Sequence, residues 1–271
     1  MKFNIILSLL ALHILTTSCE KIIDVDLNEA NPAPVFEAVL ENDSTCYVKA
    51  SLTSSFYDNS TSPAITNAVM TVTDQLGNSE TLSHEGDGIY RGSTLIGIIG
   101  NTYTLDINID GELYSASSTM PSLTSIDSCS VQDRGGFFGG GGIPGPPKYF
   151  VYVNYTDPGN LTNYYAIQTT YYDSVEVDYT TDYRIADDEL SNGIGTRSFT
   201  TFTSFESGDT LNIELASIDK ATHLYFKTLQ DAISGAGFAS AAPANPTTNF
   251  SEGALGYFGA WSKDEIEFIV P

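Results

Sequence analysis

Cys19 is the first residue whose type and setting suit covalent chemistry. It follows Lys2, an apolar run from Ile5 to Leu15 broken by Ser8 and His13, and then Thr16-Thr17-Ser18. The run is too short for a permanent membrane span. It ends on small residues and a Cys, with no Ala-x-Ala cleavage site, which is the pattern of a lipoprotein signal peptide. Cleavage before Cys19 presents a thiol for diacylglycerol and an amine for a further acyl chain, and several chains anchor stably where one is marginal. Residues 1–18 are therefore expected to be a signal peptide, Cys19 the lipidation site, and 19–34 a tether. The alternative is an ordinary secretory signal with an incidental Cys. The acidic stretch Glu20 to Asp26 suits either a solvated tether or a surface-export signal.

Other chemistry-bearing residues are sparse. Cys46 and Cys129 remain after Cys19, and an even pair in an oxidising compartment permits one disulfide. A Cys46–Cys129 bridge between two strand-like segments is the expectation; two buried thiols that never meet are the alternative. A catalytic thiol is disfavoured, because no His or basic residue lies nearby in sequence to lower its pKa. His84 and His223 stand alone, outside any HExxH spacing. GxSxG, P-loop and CxxC patterns are absent. Asp187-Asp188-Glu189 lacks the ligand spacing of a calcium loop, so a solvated acidic loop is the favoured reading over a Ca²⁺ site. The Gly/Pro-rich stretch 133–147 carries Phe137 and Phe138, a candidate partner contact, although packing back on the sheet is the commoner fate of such a pair. Tyr-rich runs at 149–155 and 164–172 read mainly as sandwich core, with sugar stacking or peptide gripping as the rarer alternative. No catalytic residue, metal or cofactor is expected.

The elements that must position these residues are mostly strands. The chain has 271 residues and a net charge of -23, with 11 Lys and Arg against 34 Asp and Glu. That charge repels phosphate backbones and excludes nucleic acid and polybasic membrane docking. Period-two alternation and Gly or Asn/Asp turns recur, as in Ala68 to Asp74 and in Thr102 to Ile109 followed by Asp110-Gly111. Strands are expected at 35–40, 46–52, 68–74, 81–83, 89–91, 102–109, 113–116, 126–131, 149–155, 164–172 (continuing into 175–179), 199–205, 210–215, 250–261 and 266–270. A long loop is expected near 187–195. One helix, from about Asp219 to Ser234, places Ile218, Ala221, Tyr225, Leu229 and Ala232 on one face. Ser217 or Asp219 caps its start, and Gly235 ends it. The fold class is mainly β: two β-sandwich-like domains, 35–120 and 121–271, the second bearing the helix.

Several segments resemble an uncharacterised lipoprotein family, the domain-of-unknown-function family 4249. Cys19 to Leu27 is similar to its mature start. Gly88-Ile89-Tyr90-Arg91, Gly100 to Leu105, Asp110 to Ala116 and Pro121 through Ile126-Asp127-Ser128 are similar to its first domain. Thr248 to Ser262, containing Gly253-Ala254-Leu255-Gly256-Tyr257-Phe258-Gly259-Ala260-Trp261, resembles its C-terminal signature. The resemblance implies a transthyretin-like or carboxypeptidase-regulatory-like first sandwich. It also implies an outer-membrane, lipid-anchored protein, on the periplasmic or cell-surface face, that accompanies a TonB-dependent transporter. The expected function is non-enzymatic, accessory to uptake of a nutrient such as a peptide or glycan. An extracellular polymer hydrolase and a surface adhesive or structural lipoprotein are the alternatives. The family has no agreed catalytic residues to carry over.

Overall fold

The computed structural model describes residues 31–54, 61–133, 148–173, 178–234, 245–251 and 253–271. Cys19, Phe137 and Phe138 lie outside these residues. The described part is mainly β, with several sheets and one helix. In chain order the strands are β1 (Pro34–Glu41), β2 (Thr45–Leu52), β3 (Val69–Asp74), β4 (Ser79–Thr81), β5 (Ser83–Gly86), β6 (Ile89–Ile96), β7 (Thr102–Ile109), β8 (Glu112–Thr119), β9 (Ile126–Asp133), β10 (Tyr149–Thr156), β11 (Tyr164–Asp173), β12 (Asp178–Asp187), β13 (Gly195–Phe199) and β14 (Thr210–Ile218), then helix α1 (Lys220–Ser234) and β15 (Leu255–Ile269). The β7–β8 hairpin turns where Asp110-Gly111 was expected, with both residues at positive φ.

One sheet has eight strands in the order β12-β11-β14-β15-β1-β2-β6-β5. Two smaller sheets, β4-β3-β7-β8 and β13-β10-β9, cover different parts of it. The first core lies between β1, β2 and β6 of the large sheet and β3, β7 and β8, around Phe36, Leu40, Val48, Met70, Leu105 and Ile107. The second lies between β11 and β14 of the same sheet and β10, around Val151, Tyr155, Tyr165, Ile167, Ile213 and Leu215. Burying each such side chain stabilises by roughly 1.5–3 kcal/mol. The Tyr-rich runs split by alternation: Tyr155, Tyr165 and Tyr171 face the core, while Tyr152 packs on Phe199 under the Arg197 guanidinium.

The expected division at 120/121 is drawn differently by the packing. Residues Pro32–Pro271 form one unit, and Phe250, Ala254, Phe258 and Ala260 sit in the first core although they come last in the chain. The two strands expected at 250–261 and 266–270 are one strand, β15. Its polar stretch Ser262 to Glu265 resembles a break in sequence, yet the alternation continues: Ser262 is buried and donates to the Pro121 carbonyl, while Lys263 faces outward. Residues 178–187, expected as strand only as far as 179, are strand β12, antiparallel to β11. Of the strand expected at 199–205 only Phe199 lies in a strand, as the last residue of β13; Thr200 turns both its amide and its hydroxyl to the Val151 carbonyl. Helix α1 starts as expected, with Asp219 Oδ1 accepting from the Thr222 amide at 2.8 Å.

The expected disulfide is not formed. Cys46 is wholly buried in the first core, Cys129 packs against the second, and both thiols are free. Their strands enter different sandwiches, which sequence spacing does not reveal. Burial, helped by the nearby Glu80 charge, pushes the Cys46 thiol up to about 12, and burial pushes Cys129 to about 11. In a soluble chain beginning after residue 19, thiol titration in denaturant without reductant is expected to count both cysteines, with Cys46 unreactive in the native state. A count of zero would restore the bridge.

Near Leu82 the chain crosses from the four-stranded sheet to the eight-stranded one, between β4 and β5. Glu80 fastens this crossing, its carboxylate accepting from the amides of Ser93, Thr94 and Leu95 and from the Ser93 hydroxyl. Partial burial pushes its pKa up, but those bonds outweigh burial and hold it at about 2. A depressed carboxylate contributes stability that is present above its unfolded pKa and lost as pH falls through its folded value. Stability is thus expected to drop between about pH 4.5 and pH 2, and Glu80→Gln is expected to flatten that limb in urea unfolding across pH.

Candidate functional site

Outward-facing positions of β1, β2 and β15 form a grid set by register. Glu37 lies between Lys49 and Tyr257, Val39 between Tyr47 and Gly259, and Glu41 beside Trp261. On the other half of the large sheet, Tyr183 of β12 pairs with Gln168 of β11, which pairs with Glu214 of β14. Helix α1 lies on this outer face and supplies Tyr225, Phe226, Leu229, Gln230 and Ile233. Together they enclose a groove of about 600 Å³. Its floor crosses from the first sandwich to the second.

The groove is aromatic. Tyr257 contacts Tyr225 at 4.8 Å and Phe226 at 4.9 Å between ring centroids. Trp261 lies nearly parallel to Tyr257, and Tyr183 nearly parallel to Phe226. Gly259 makes the arrangement fit: a Cβ there would come within 2.9 Å of the Trp261 ring and 3.0 Å of the Thr222 hydroxyl of α1. A missing side chain at this position lets the indole and the helix settle on the strand.

Two lysines bridge the carboxylates at the groove. Lys263 Nζ lies 2.9 Å from Glu214, 3.3 Å from Glu41 and 4.0 Å from Glu265. Burial pulls the Lys263 pKa down, but the hydrogen bond to Glu214 and the Glu41 charge outweigh it and raise it, so the ammonium persists. Lys49 sits 3.9 Å from Glu37. The Trp261 indole N–H donates to Glu41 at 3.4 Å. Burial, then the Glu37 charge, pushes Tyr257 and Tyr225 up; burial, then Glu214, does the same to Tyr183. All three phenols therefore stay neutral, each a donor and an acceptor. Among the described residues, the hydroxyls of Tyr47, Tyr183, Tyr225 and Tyr257 make no hydrogen bond.

The acidic loop does something else. Asp188 is buried and accepts from the Asn163 amide at 2.9 Å. Asp157, also buried, accepts from the Gly193 amide at 2.8 Å and from the Tyr165 hydroxyl. These carboxylates pin loops to the second sandwich. A smaller cavity of about 370 Å³ borders Asp187, Asp188 and Glu189, but among the described residues no three His, Cys, Asp or Glu side chains converge as metal ligands. His223 packs on Tyr164 and His84 on Tyr90, each ring at 4.8 Å. Sequence reading missed the groove, whose lining runs from Glu37 to Trp261 through five strands and a helix. Its one local signal was the alternation Tyr257, Gly259, Trp261.

The family signature that ends in this alternation has a physical account here. Asn249 spans the Phe258 backbone, its amide donating to the carbonyl at 2.7 Å and accepting from the N–H at 3.0 Å. Gly256 holds a positive φ where a Cβ would lie 2.0 Å from the Phe36 carbonyl oxygen. The family described as a domain of unknown function (DUF4249) matches residues 20–267. This chain belongs to the DUF4249 family. No curated protein matches the chain. Among solved structures, the chicken interferon gamma receptor alpha chain aligns over 69% of this chain and 90% of its own, at 10% identity and a TM-score of 0.20. Among the described residues, no helix is long and apolar enough to cross a membrane.

Gly259→Ala is expected to displace the indole or the helix, costing about 1–3 kcal/mol. Trp261 is the chain's one tryptophan, so the emission maximum and the urea midpoint should shift together. An unchanged spectrum at unchanged stability would refute the close approach.

Proposed function

We propose that this DUF4249 protein is a non-enzymatic, lipid-anchored protein of the outer membrane that captures a nutrient, a peptide or a glycan, for a TonB-dependent transporter. The observation that carries capture is the groove: a concave, aromatic-floored site of about 600 Å³, within the range of small-ligand sites. It is edged by carboxylates and amides that fix orientation. The lipid anchor rests on Cys19 and the residues before it. The transporter rests on what the family resemblance implies. In this reading the chain supplies a binding surface and a docking body, and the energy for uptake comes from the transporter's own coupling.

Glu37 and Glu41 are the carboxylates closest to the groove's aromatic floor, and each faces a lysine of the chain itself. That pairing holds their oxygens in place as hydrogen-bond acceptors at the groove, which suits holding a ligand.

The test is a native pull-down of the lipidated protein from the outer membrane in mild detergent, with mass spectrometry of what co-purifies. A barrel transporter in fixed ratio is expected. Recovery of the protein alone would contradict the accessory role.

A further inference from the structure

The groove's chemistry restricts its ligand. Strands β1 and β2 are interior to the large sheet, and the stretch of β15 in the groove floor pairs with β1, so the floor turns side chains rather than main-chain groups toward the groove. Strand addition takes place at a sheet edge, here β12 and β5, whereas a ligand lying on the sheet face meets side chains. Recognition must come from side chains. Those present are flat rings, two amides (Gln168 and Gln230), two carboxylates, the Lys49 ammonium and four phenolic hydroxyls without partners among the described residues.

Charge narrows the choice further. Glu37 faces Lys49, and Glu41 shares Lys263 with Glu214 and Glu265, so a cationic ligand would compete with the chain's own lysines for these carboxylates. An anionic ligand would meet those carboxylates, Glu214 behind them and a chain of net charge -23. The rings, amides and phenols of the lining together suit an uncharged molecule with apolar faces and a periphery of hydroxyls. A pyranose ring is such a molecule. Its axial C–H face lies on an aromatic ring, and its vicinal hydroxyls span the two oxygens of a carboxylate or the oxygen and nitrogen of an amide.

We infer that the groove between helix α1 and the outer face of the eight-stranded sheet binds a neutral oligosaccharide, with Tyr257, Trp261 and Tyr183 as stacking platforms and Glu37, Glu41, Gln168 and Gln230 as hydroxyl partners. The inference rests on reading the groove as the capture site. The volume accommodates about two or three sugar rings, so affinity should rise from a monosaccharide to a trisaccharide and then level off.

Trp261 gives the experiment its reporter. Full-length protein in detergent micelles would be titrated with neutral hexasaccharides of α- and β-linked glucose, mannose and xylose. Hexagalacturonate, hexalysine and an uncharged hexapeptide would be run alongside. At least one neutral glycan is expected to change the emission saturably. Hexagalacturonate should bind at least about tenfold more weakly, a difference of about 1.4 kcal/mol. Tyr183→Ala is the informative variant: Tyr183 is 55% exposed, so the fold tolerates the change, and the reporter stays in place. It should weaken glycan binding about tenfold or more. Glu37→Gln, which keeps the shape, should weaken it less than Tyr183→Ala.

Silence from every neutral glycan up to about 5 mM, or binding that Tyr183→Ala leaves unchanged, overturns the inference. Saturable binding of a peptide alone overturns it too, while leaving capture standing. The two claims fail separately. A transporter recovered with no glycan bound sinks only the ligand class, and a glycan bound with no transporter recovered sinks only the accessory role.

Discussion

Strand β15 cannot satisfy its backbone within either sandwich alone. Residues 255–261 run parallel to β1, and residues 262–269 run antiparallel to β14. A parallel partner for β1 must arrive from far along the chain, and here it is β15, the last of the described strands. An unpaired strand edge is costly in both directions, as lost hydrogen bonds and as a template for aggregation. The shared strand removes that edge from both halves at once. Its approach to β1 is close enough that Gly256 has no room for a side chain beside the Phe36 carbonyl. Ser118 adds a clamp, accepting from the Ala260 amide and donating to Asp219 at the start of α1. The strand thereby positions the helix as well as the sheet.

The groove follows from that sharing. Its residues come from both halves of the large sheet and become neighbours only because β15 continues through the junction. Lys263 sits where the pairing changes from β1 to β14 and draws Glu41 of one half and Glu214 of the other to a single ammonium. Removing one partner of such a group leaves a partly desolvated charge, which costs more than the ion pair contributes. The neutral phenols around it keep donors and acceptors available without adding charge.

Much of this was legible locally. Strand-like apolar and aromatic runs placed β1, β2 and β10 closely, period-two alternation placed β3 and β7, and Asp110-Gly111 named its hairpin, because those signals act over a few residues. The helix was legible from its spacing and from Asp219. Three things were not. The 262–265 stretch reads as a loop until Glu41 and Glu214 are seen to balance Lys263 from distant strands. Strand β12 is polar on much of its length, and its pairing with β11 is tertiary information, so Tyr183 was lost with it. The cysteines sit in convincing strands, yet the route that sends them to separate cores is a property of topology. The family signature was recognisable as a pattern, but the reasons for Gly256 and Gly259 appear only when Phe36, Trp261 and Thr222 are placed beside them.

The central claim is that β15 makes the two sandwiches, and the groove across them, one body. Native-state amide exchange along that strand tests it most directly, because exchange reports the opening free energy of each segment. The account predicts that amides of 255–261 and 262–269 share one opening free energy, lowered by the same amount in mild denaturant. Two distinct classes, one following β1 and the other following β14, would contradict it.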